Sequence, residues 1–457
     1  MKILVLNGSP KGKNSITLQT VLYLQKVYPE HDFTVLNVGQ RIKAYEKDFS
    51  EANKALEDAE LILFAYPVYT FIAPYQMHRF IELIKENGVD LKGKFTTQIT
   101  TSKHFYDVTA HKFIEENCHD LGLKYIRGLS ADMDDLQEKK GQIEAESFFQ
   151  QLLFSIKNDI YICASPGVYK EKREIYKPIL ENTSKESGFD VVLLTNCSDD
   201  DTNLRNMIED FKSTLPYKAR EVNLRKTIIH GGCLGCLSCS VTGKCVYKDG
   251  FDDFLRNEIQ KANAIIYAFT ISDHYTHSSL KLYDDRQFCN GHRAVTEGMT
   301  VGYLISGDYM AEANLQTILE ARCEVGGNYL AGVATNEKNT SKSIQNLSQS
   351  ICYSLKNKCT RPKNFYGVGG TKIFRDLIYL MRGIMKADHK FYKEHGIYDF
   401  PQKRKARILM MYIIGFLMNL PSVQKKMKGQ MNEFIIAPYQ KVIEDAKPKK
   451  EYQIQSK

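Results

Sequence analysis

The 457-residue sequence contains no tryptophan and no long hydrophobic run. Its most apolar stretch, Ile408 to Met418, is eleven residues, well short of the ~20 that a membrane-spanning helix needs. The opening residues, MKILVLNGSP, hold only Ile3 to Leu6 as an apolar stretch. That is too short for the core of a signal peptide. The expectation is therefore a cytoplasmic protein, where thiols stay reduced. In that compartment the 11 cysteines do not form a disulfide framework. The lack of tryptophan, and basic residues that follow no recognised motif, argue against a nucleic-acid partner. Only the C-terminal KPKKEYQIQSK reads as disordered.

What is present is globular. Apolar residues make up 43% and charged residues 25%, as in soluble domains, and the length suits about three of them. The net charge of +8 is uneven. Residues 361–457 hold 20 Lys/Arg against 8 Asp/Glu, so the basic excess lies wholly in that segment.

Residues 1–150 alternate strand and helix patterns. Apolar β-type runs occur at Ile3–Leu6, Phe33–Val38, Leu61–Tyr66, Phe95–Thr100 and Lys124–Leu129, with helical spacing between them. A second cycle fills 188–357, with runs at Val191–Thr195, Glu221–Leu224, Ala264–Phe269, Thr300–Ile305 and Tyr329–Ala334. Such alternation predicts α/β architecture: two tandem doubly wound parallel sheets. Residues 151–187 connect the copies, and IYICASPGVY within them reads as an extra strand. Residues 358–457 form a basic helical C-terminal segment. GGTKIFRDLIYLMRGIMKADHKFYKEHG reads as one helix. The run at Ile408–Met418 reads first as a buried helix, and second as one docked on a membrane surface between QKRKAR and KKMK. The glycines of NFYGVGGTKIF (Gly367, Gly369, Gly370) fail the dinucleotide fingerprint and read as a connector.

The segment LVLNGSPKGKNSIT follows the first strand directly. A helix N-terminus there offers unpaired N–H groups and a positive dipole end to a phosphate. Ser9, Asn14 and Ser15 supply polar donors, and Lys11 supplies charge. The bland alternative is an ordinary strand–helix turn with capping residues. Neither a Walker loop nor G-x-G-x-x-G is present.

NGSPKGKNS, together with AELILFAYPVYTFIAPYQMHRFIELI, resembles the flavodoxin-like NAD(P)H-dependent FMN reductase and iron–sulfur flavoprotein family. The resemblance implies a flavodoxin-like fold for both copies and FMN in the first. It implies that Pro67, Val68, Tyr69, Thr70, Phe71 and Ile72 line the flavin. Thr101, Ser102, Lys103, His104 and Phe105, in TTSKHFYD, fall where the family contacts the polar edge of the ring. His104 and Tyr69 are the candidate catalytic residues, with NAD(P)H as a possible co-substrate.

GGCLGCLSCSVTGKC places Cys233, Cys236, Cys239 and Cys245 in a C-x2-C-x2-C-x5-C pattern. A structural zinc site usually separates two C-x2-C pairs by a dozen residues or more. A C-x2-C-x2-C run wraps a [4Fe–4S] cluster. Reduced thiols or another metal are the alternatives, and the remaining cysteines read as small buried residues. The same family places a compact cysteine motif after the second strand. The copies therefore read as specialised. The second has Asp199, Asp200 and Asp201 where a phosphate belongs, and those charges would repel it.

The expectation is an FMN-dependent oxidoreductase, with NAD(P)H or a low-potential carrier as donor. Electrons would pass between flavin in the first domain and a cluster in the second. An electron-transfer protein without turnover of its own is the second reading, and a scaffold with neither cofactor the third. Implied partners are ferredoxin or a small-molecule acceptor, a membrane surface met through the C-terminal helices, and a second copy in a homo-oligomer.

Overall fold

The computed structural model describes residues 1–164, 174–181 and 183–423, with 433, 436, 437, 439, 440 and 442–446 beyond. The chain forms two compact units, Met1–His395 and Gly396–Lys457.

The larger unit contains two parallel sheets. The first is built from β1 (Lys2–Asn7), β2 (Asp32–Leu36), β3 (Leu61–Pro67), β4 (Phe95–Ser102), β5 (Lys124–Tyr125) and β6 (Leu129–Asp132). Their order is β2-β1-β3-β4-β5, with β6 also on β4. The second is built from β7 (Glu186–Thr195), β8 (Tyr217–Asn223), β9 (Ala264–Thr270), β10 (Thr300–Ser306) and β11 (Tyr329–Thr335). Its order, β8-β7-β9-β10-β11, repeats that of the first. Both sheets are flavodoxin-like. Their central strands read as unbroken apolar runs because helices cover both faces. In β1, for example, Ile3, Leu4, Val5 and Leu6 are all buried.

The helices of the first half are α1 (Ile16–Val27), α2 (Val38–Tyr45), α3 (Ser50–Asp58), α4 (Tyr75–Glu86), α5 (Asp107–Asp120) and α6 (Lys139–Lys157). Those of the second are α7 (Thr202–Thr214), α8 (Ser238–Thr242), α9 (Phe251–Phe254), α10 (Ser278–Arg286), α11 (Ala313–Gly326) and α12 (Thr340–Asn357). Then follow α13 (Phe365–Leu380), α14 (Lys386–Glu394) and α15 (Lys405–Met418).

The two halves meet through matching elements. Helix α4 packs on α10, and one apolar cluster runs from the first sheet into the second. Each helix also takes an N-terminal partner from the other. Tyr75 N–H donates to Asp285 Oδ2 (2.7 Å), and Ser278 N–H donates to Glu82 Oε1 (2.6 Å). Both donors open their helices, and both carboxylates lie two turns further along. An unpaired N–H at a buried helix start is costly, so each half satisfies a need of its neighbour.

Several expectations change. The run Lys124–Leu129 is split, because only Lys124–Tyr125 and Leu129–Asp132 pair with β4. The second-half run placed at Glu221–Leu224 starts earlier, at Tyr217. In IYICASPGVY, Ile162 makes an isolated antiparallel bridge to Tyr125, and the part from residue 165 lies outside the described residues. The single helix expected over 369–396 is two, α13 and α14, parted at Met381–Met385. The glycine connector is instead part of α13. A Cβ on Gly370 would lie 2.7 Å from Val325 and 2.9 Å from Phe105, so small residues let α13 approach α11 closely. Helix α15, expected to be buried, has no buried residue.

Candidate functional site

The loop after β1 is pinned by Asn7. Its side-chain amide donates to the Gly12 carbonyl (3.0 Å) and to Asn37 Oδ1 (3.0 Å). Ser15 Oγ accepts from Leu18 N–H and caps α1. Ser9 is buried, and its Oγ accepts the Lys11 N–H. Thr17 on α1 bonds the hydroxyl of Thr101 at the end of β4 (2.5 Å), which ties the first loop to the fourth strand.

After β3 the chain makes a tight turn. Tyr69 and Ile72 exchange backbone hydrogen bonds (2.9 and 3.2 Å), with Thr70 and Phe71 between them at φ 44° and 74°. Two successive non-glycine residues at positive φ are strained, and such strain gathers at functional sites. The second half keeps the turn after β9, with Asp273 and His274 at φ 52° and 62°.

The cysteine loop lies on this turn. Gly235 has φ +61°, and a Cβ there would lie 2.1 Å from the Tyr69 hydroxyl. Only glycine permits both that conformation and that approach. Burial pushes the Cys233 thiol up to about 12 and raises Cys239 as well. Among the described residues, no three of the four thiols lie within 4.8 Å of one another.

One cavity of about 270 Å³ collects these parts. It is lined by Ser9, Lys11, Ser15, Pro67, Val68, Tyr69, Thr70, Thr101, Ser102 and Lys103 from the predicted flavin loops. Cys233, Cys236, Cys239 and Cys245 line it from the other half. Four predicted residues do not line it: Asn14, Phe71, Ile72 and His104. Phe71 and Ile72 point into the core. His104 is half exposed and bonds Asp107 through Nδ1 (2.8 Å). Lys103 reaches the cavity already paired to Asp132 and Asp134, each at 2.6 Å.

Sequence reasoning missed the support for both loops, which comes from α10. Lys281 and Asp285, both fully buried, form an ion pair at 2.6 Å. Lys281 donates to the Tyr69 carbonyl (2.6 Å), and Asp285 accepts from the Thr70 hydroxyl (3.1 Å). The next residue, Arg286, pairs bidentately with the shielded side chain of Asp249 and donates to the Gly231 carbonyl (3.1 Å). One short helix thus grips the strained turn and the cysteine loop together. The segment LKLYDDRQF holds four charges, a composition that suits a solvated face as well as a buried one, so its sequence alone does not reveal this role. Cys289 also lines the cavity, as do Phe374 and Leu377 of α13 with Met381 and Met385 beyond it. Buried Asp388 on α14 bonds His292 Nδ1 (2.9 Å) and steadies that side.

The corresponding loop of the second half is filled by the protein itself. Asp201 accepts the Leu204 N–H at the start of α7 (3.1 Å) and the Thr270 hydroxyl (2.5 Å). Asp201 caps α7 as Ser15 caps α1, but it does so with a carboxylate, whose charge would oppose a phosphate there.

Residues 1–151 match the family model described as flavodoxin-like fold. The chain is 24% identical over 174 residues to an iron-sulfur flavoprotein of Archaeoglobus fulgidus, covering 36% of this chain and 78% of that one. Similar solved structures include a putative quinone reductase of Klebsiella pneumoniae (14% identical, 34% of this chain, 85% of that one, TM-score 0.27). Another is an FMN-dependent NADH-azoreductase of Bacillus anthracis in complex with FMN (15% identical, 33% and 98% covered, TM-score 0.27). The first third of the chain is thus matched by the flavodoxin-like fold family, as the loops of its sequence resemble.

Proposed function

We propose that the protein is an FMN-dependent oxidoreductase in which electrons pass between a flavin held by the first half and an iron–sulfur cluster held by the second. The observation that supports this most is the shared cavity, lined by loops after β1, β3 and β4 and by all four clustered cysteines. The match of residues 1–151 to the flavodoxin-like family, and the similarity to an iron-sulfur flavoprotein, agree with it.

The residues suit both groups. Ser9, Lys11 and Ser15, at the start of α1, would hold the phosphate of FMN. Pro67 to Thr70 and Thr101 to Lys103 would border its ring system. Cys233, Cys236, Cys239 and Cys245 are four soft donors that line one cavity. Bound FMN supplies hydride acceptance, and a bound cluster supplies single-electron exchange. The protein's part is to position and to exclude water. Lys281 and Asp285 fix the Tyr69–Thr70 turn, while Arg286 fixes the cysteine loop. Tyr69 stays a neutral phenol, because burial raises its pKa well above the usual value and the nearby thiols and Asp285 add to the effect. It is thus a donor at the junction of the two loops. NAD(P)H is the expected donor, bound without a Rossmann domain of its own.

Anaerobic reconstitution followed by FMN, iron and sulfide analysis tests the assignment. One flavin and four irons per chain are expected. Two flavins, or a protein that retains no iron, would overturn it. A second reading is an electron carrier without small-molecule turnover, favoured by the side chains of α13 along the cavity wall. Steady NAD(P)H oxidation with quinone or dye acceptors separates the two: an inert protein that still exchanges electrons with ferredoxin supports the carrier.

A further inference from the structure

Helix α15 presents an unusual surface. None of its residues is buried, and its exposure is not confined to one side. Leu409, Tyr412, Ile413 and Phe416 on one face are 55–75% exposed, while Met411, Ile414 and Leu417 on the other are 37–49% exposed. Between Arg407 and Asn419 there is no charged residue. A surface helix of a globular protein normally keeps a polar face for water, and a helix apolar all round is covered all round. A protein groove covers one face, whereas lipid covers every face.

The ends of the helix carry the complementary signal. Lys403, Arg404, Lys405 and Arg407 crowd its start, and the first turn has no acidic residue. Cations there oppose the helix dipole, whose positive end already lies at the N-terminus. The arrangement lowers the helix's own stability in water and creates a strong site for external anions. Arg404 pairs with Asp399 (2.6 Å). In the sequence Lys425, Lys426 and Lys428 follow the other end. The apolar stretch is about 16 Å long at 1.5 Å per residue, about half of a ~30 Å hydrocarbon core. No described helix is long and apolar enough to cross a membrane.

We propose that α15 docks the protein on an anionic membrane, sinking below the headgroups while the cations at its start pair with lipid phosphates. Lipid satisfies the apolar surface on every side, and the headgroup layer satisfies the charge. Membrane attachment of this kind combines buried apolar area with attraction to anionic lipid.

The test is flotation of the full chain with vesicles of phosphatidylglycerol and phosphatidylcholine in equal parts, against phosphatidylcholine alone. Binding to the anionic vesicles is expected to be about tenfold tighter or more, and weakened by salt. Ile413→Glu with Phe416→Glu should abolish flotation on both. Replacing Lys403, Arg404, Lys405 and Arg407 by Gln should reduce anionic binding to the neutral level while leaving the apolar residues in place. Equal or absent flotation on the two vesicle types overturns the proposal. So does a protein that stays in solution as an oligomer which Ile413→Glu dissociates.

Discussion

Glu82 and Asp285 hold corresponding positions on α4 and α10, and each accepts the first N–H of the other's helix. This reciprocity is what a two-fold pair of identical subunits would make at its interface, here formed within one chain. The two carboxylates differ in their cations. Asp285 pairs with fully buried Lys281, whereas Glu82 pairs with partly exposed Arg79 (2.8 Å).

Asp285→Asn is therefore expected to destabilise the fold more than Glu82→Gln. Both amides keep an acceptor for the helix N–H, but only the first leaves a buried ammonium without its counter-charge. A loss of about 3–5 kcal/mol is expected for Asp285→Asn and a smaller one for Glu82→Gln, whose Arg79 partner keeps access to water, both measured by urea unfolding. Adding Lys281→Met to Asp285→Asn should restore part of the loss. Equal losses for the single variants would contradict the difference in burial.

Lys11→Gln should weaken FMN binding about tenfold, the size of one charge-assisted hydrogen bond of ~1.5 kcal/mol. Riboflavin, which lacks the phosphate, should bind the variant and the parent equally. Flavin fluorescence titration with both ligands reads the difference. A similar loss for riboflavin would place Lys11 away from the phosphate.

Gly235→Ala should harm both halves of the site at once. The added methyl meets the Tyr69 hydroxyl at 2.1 Å, on a backbone at φ +61°. A stability cost of about 1–2 kcal/mol is expected, together with lower flavin affinity and lower iron content. Tyr69→Phe in the same chain should relieve the contact but not the backbone strain, so recovery should be partial.

Stability should fall as the solution becomes alkaline. Burial disfavours the charged form of His274, but its contacts with the carboxylates of Asp120 and Glu312 (3.2 and 3.0 Å) outweigh it and raise its pKa from 6.5 to about 10. A raised pKa means that the folded state holds the proton more tightly than the unfolded one. The stabilisation is thus complete below pH 6.5 and is lost as pH rises towards 10. Burial likewise raises Glu116 from 4.5 to about 7, which adds a fall between those values. Urea midpoints from pH 5 to 10 should trace this decline, and His274→Gln should flatten its upper part.

Strands β1, β3, β9 and β10 were legible in the sequence because central parallel strands are apolar throughout. The loops at their carboxyl ends were legible too, since an open α/β sheet binds ligands there. Where the cysteines lie relative to those loops was not. That Gly235 rests on Tyr69 depends on how the copies pack, and no local pattern encodes a contact between residues so far apart. The same holds for Lys281, Asp285 and Arg286, whose charges are buried only because the other half covers them. The apolar positions of α13 signalled a helix but not that Phe374 and Leu377 reach the cavity. Helix α15 was misjudged for another reason: an apolar run shows that a surface seeks cover, not what covers it.

The peptide link between the two sheets has a kinetic consequence. Separate subunits that shared a redox centre across their interface would part on dilution, and their turnover would fall with concentration. Here the pair is tethered, so the partner remains at hand however scarce the protein becomes. Tethering also releases the copies from sharing one sequence: the helix that Ser15 caps in the first half is capped by Asp201 in the second.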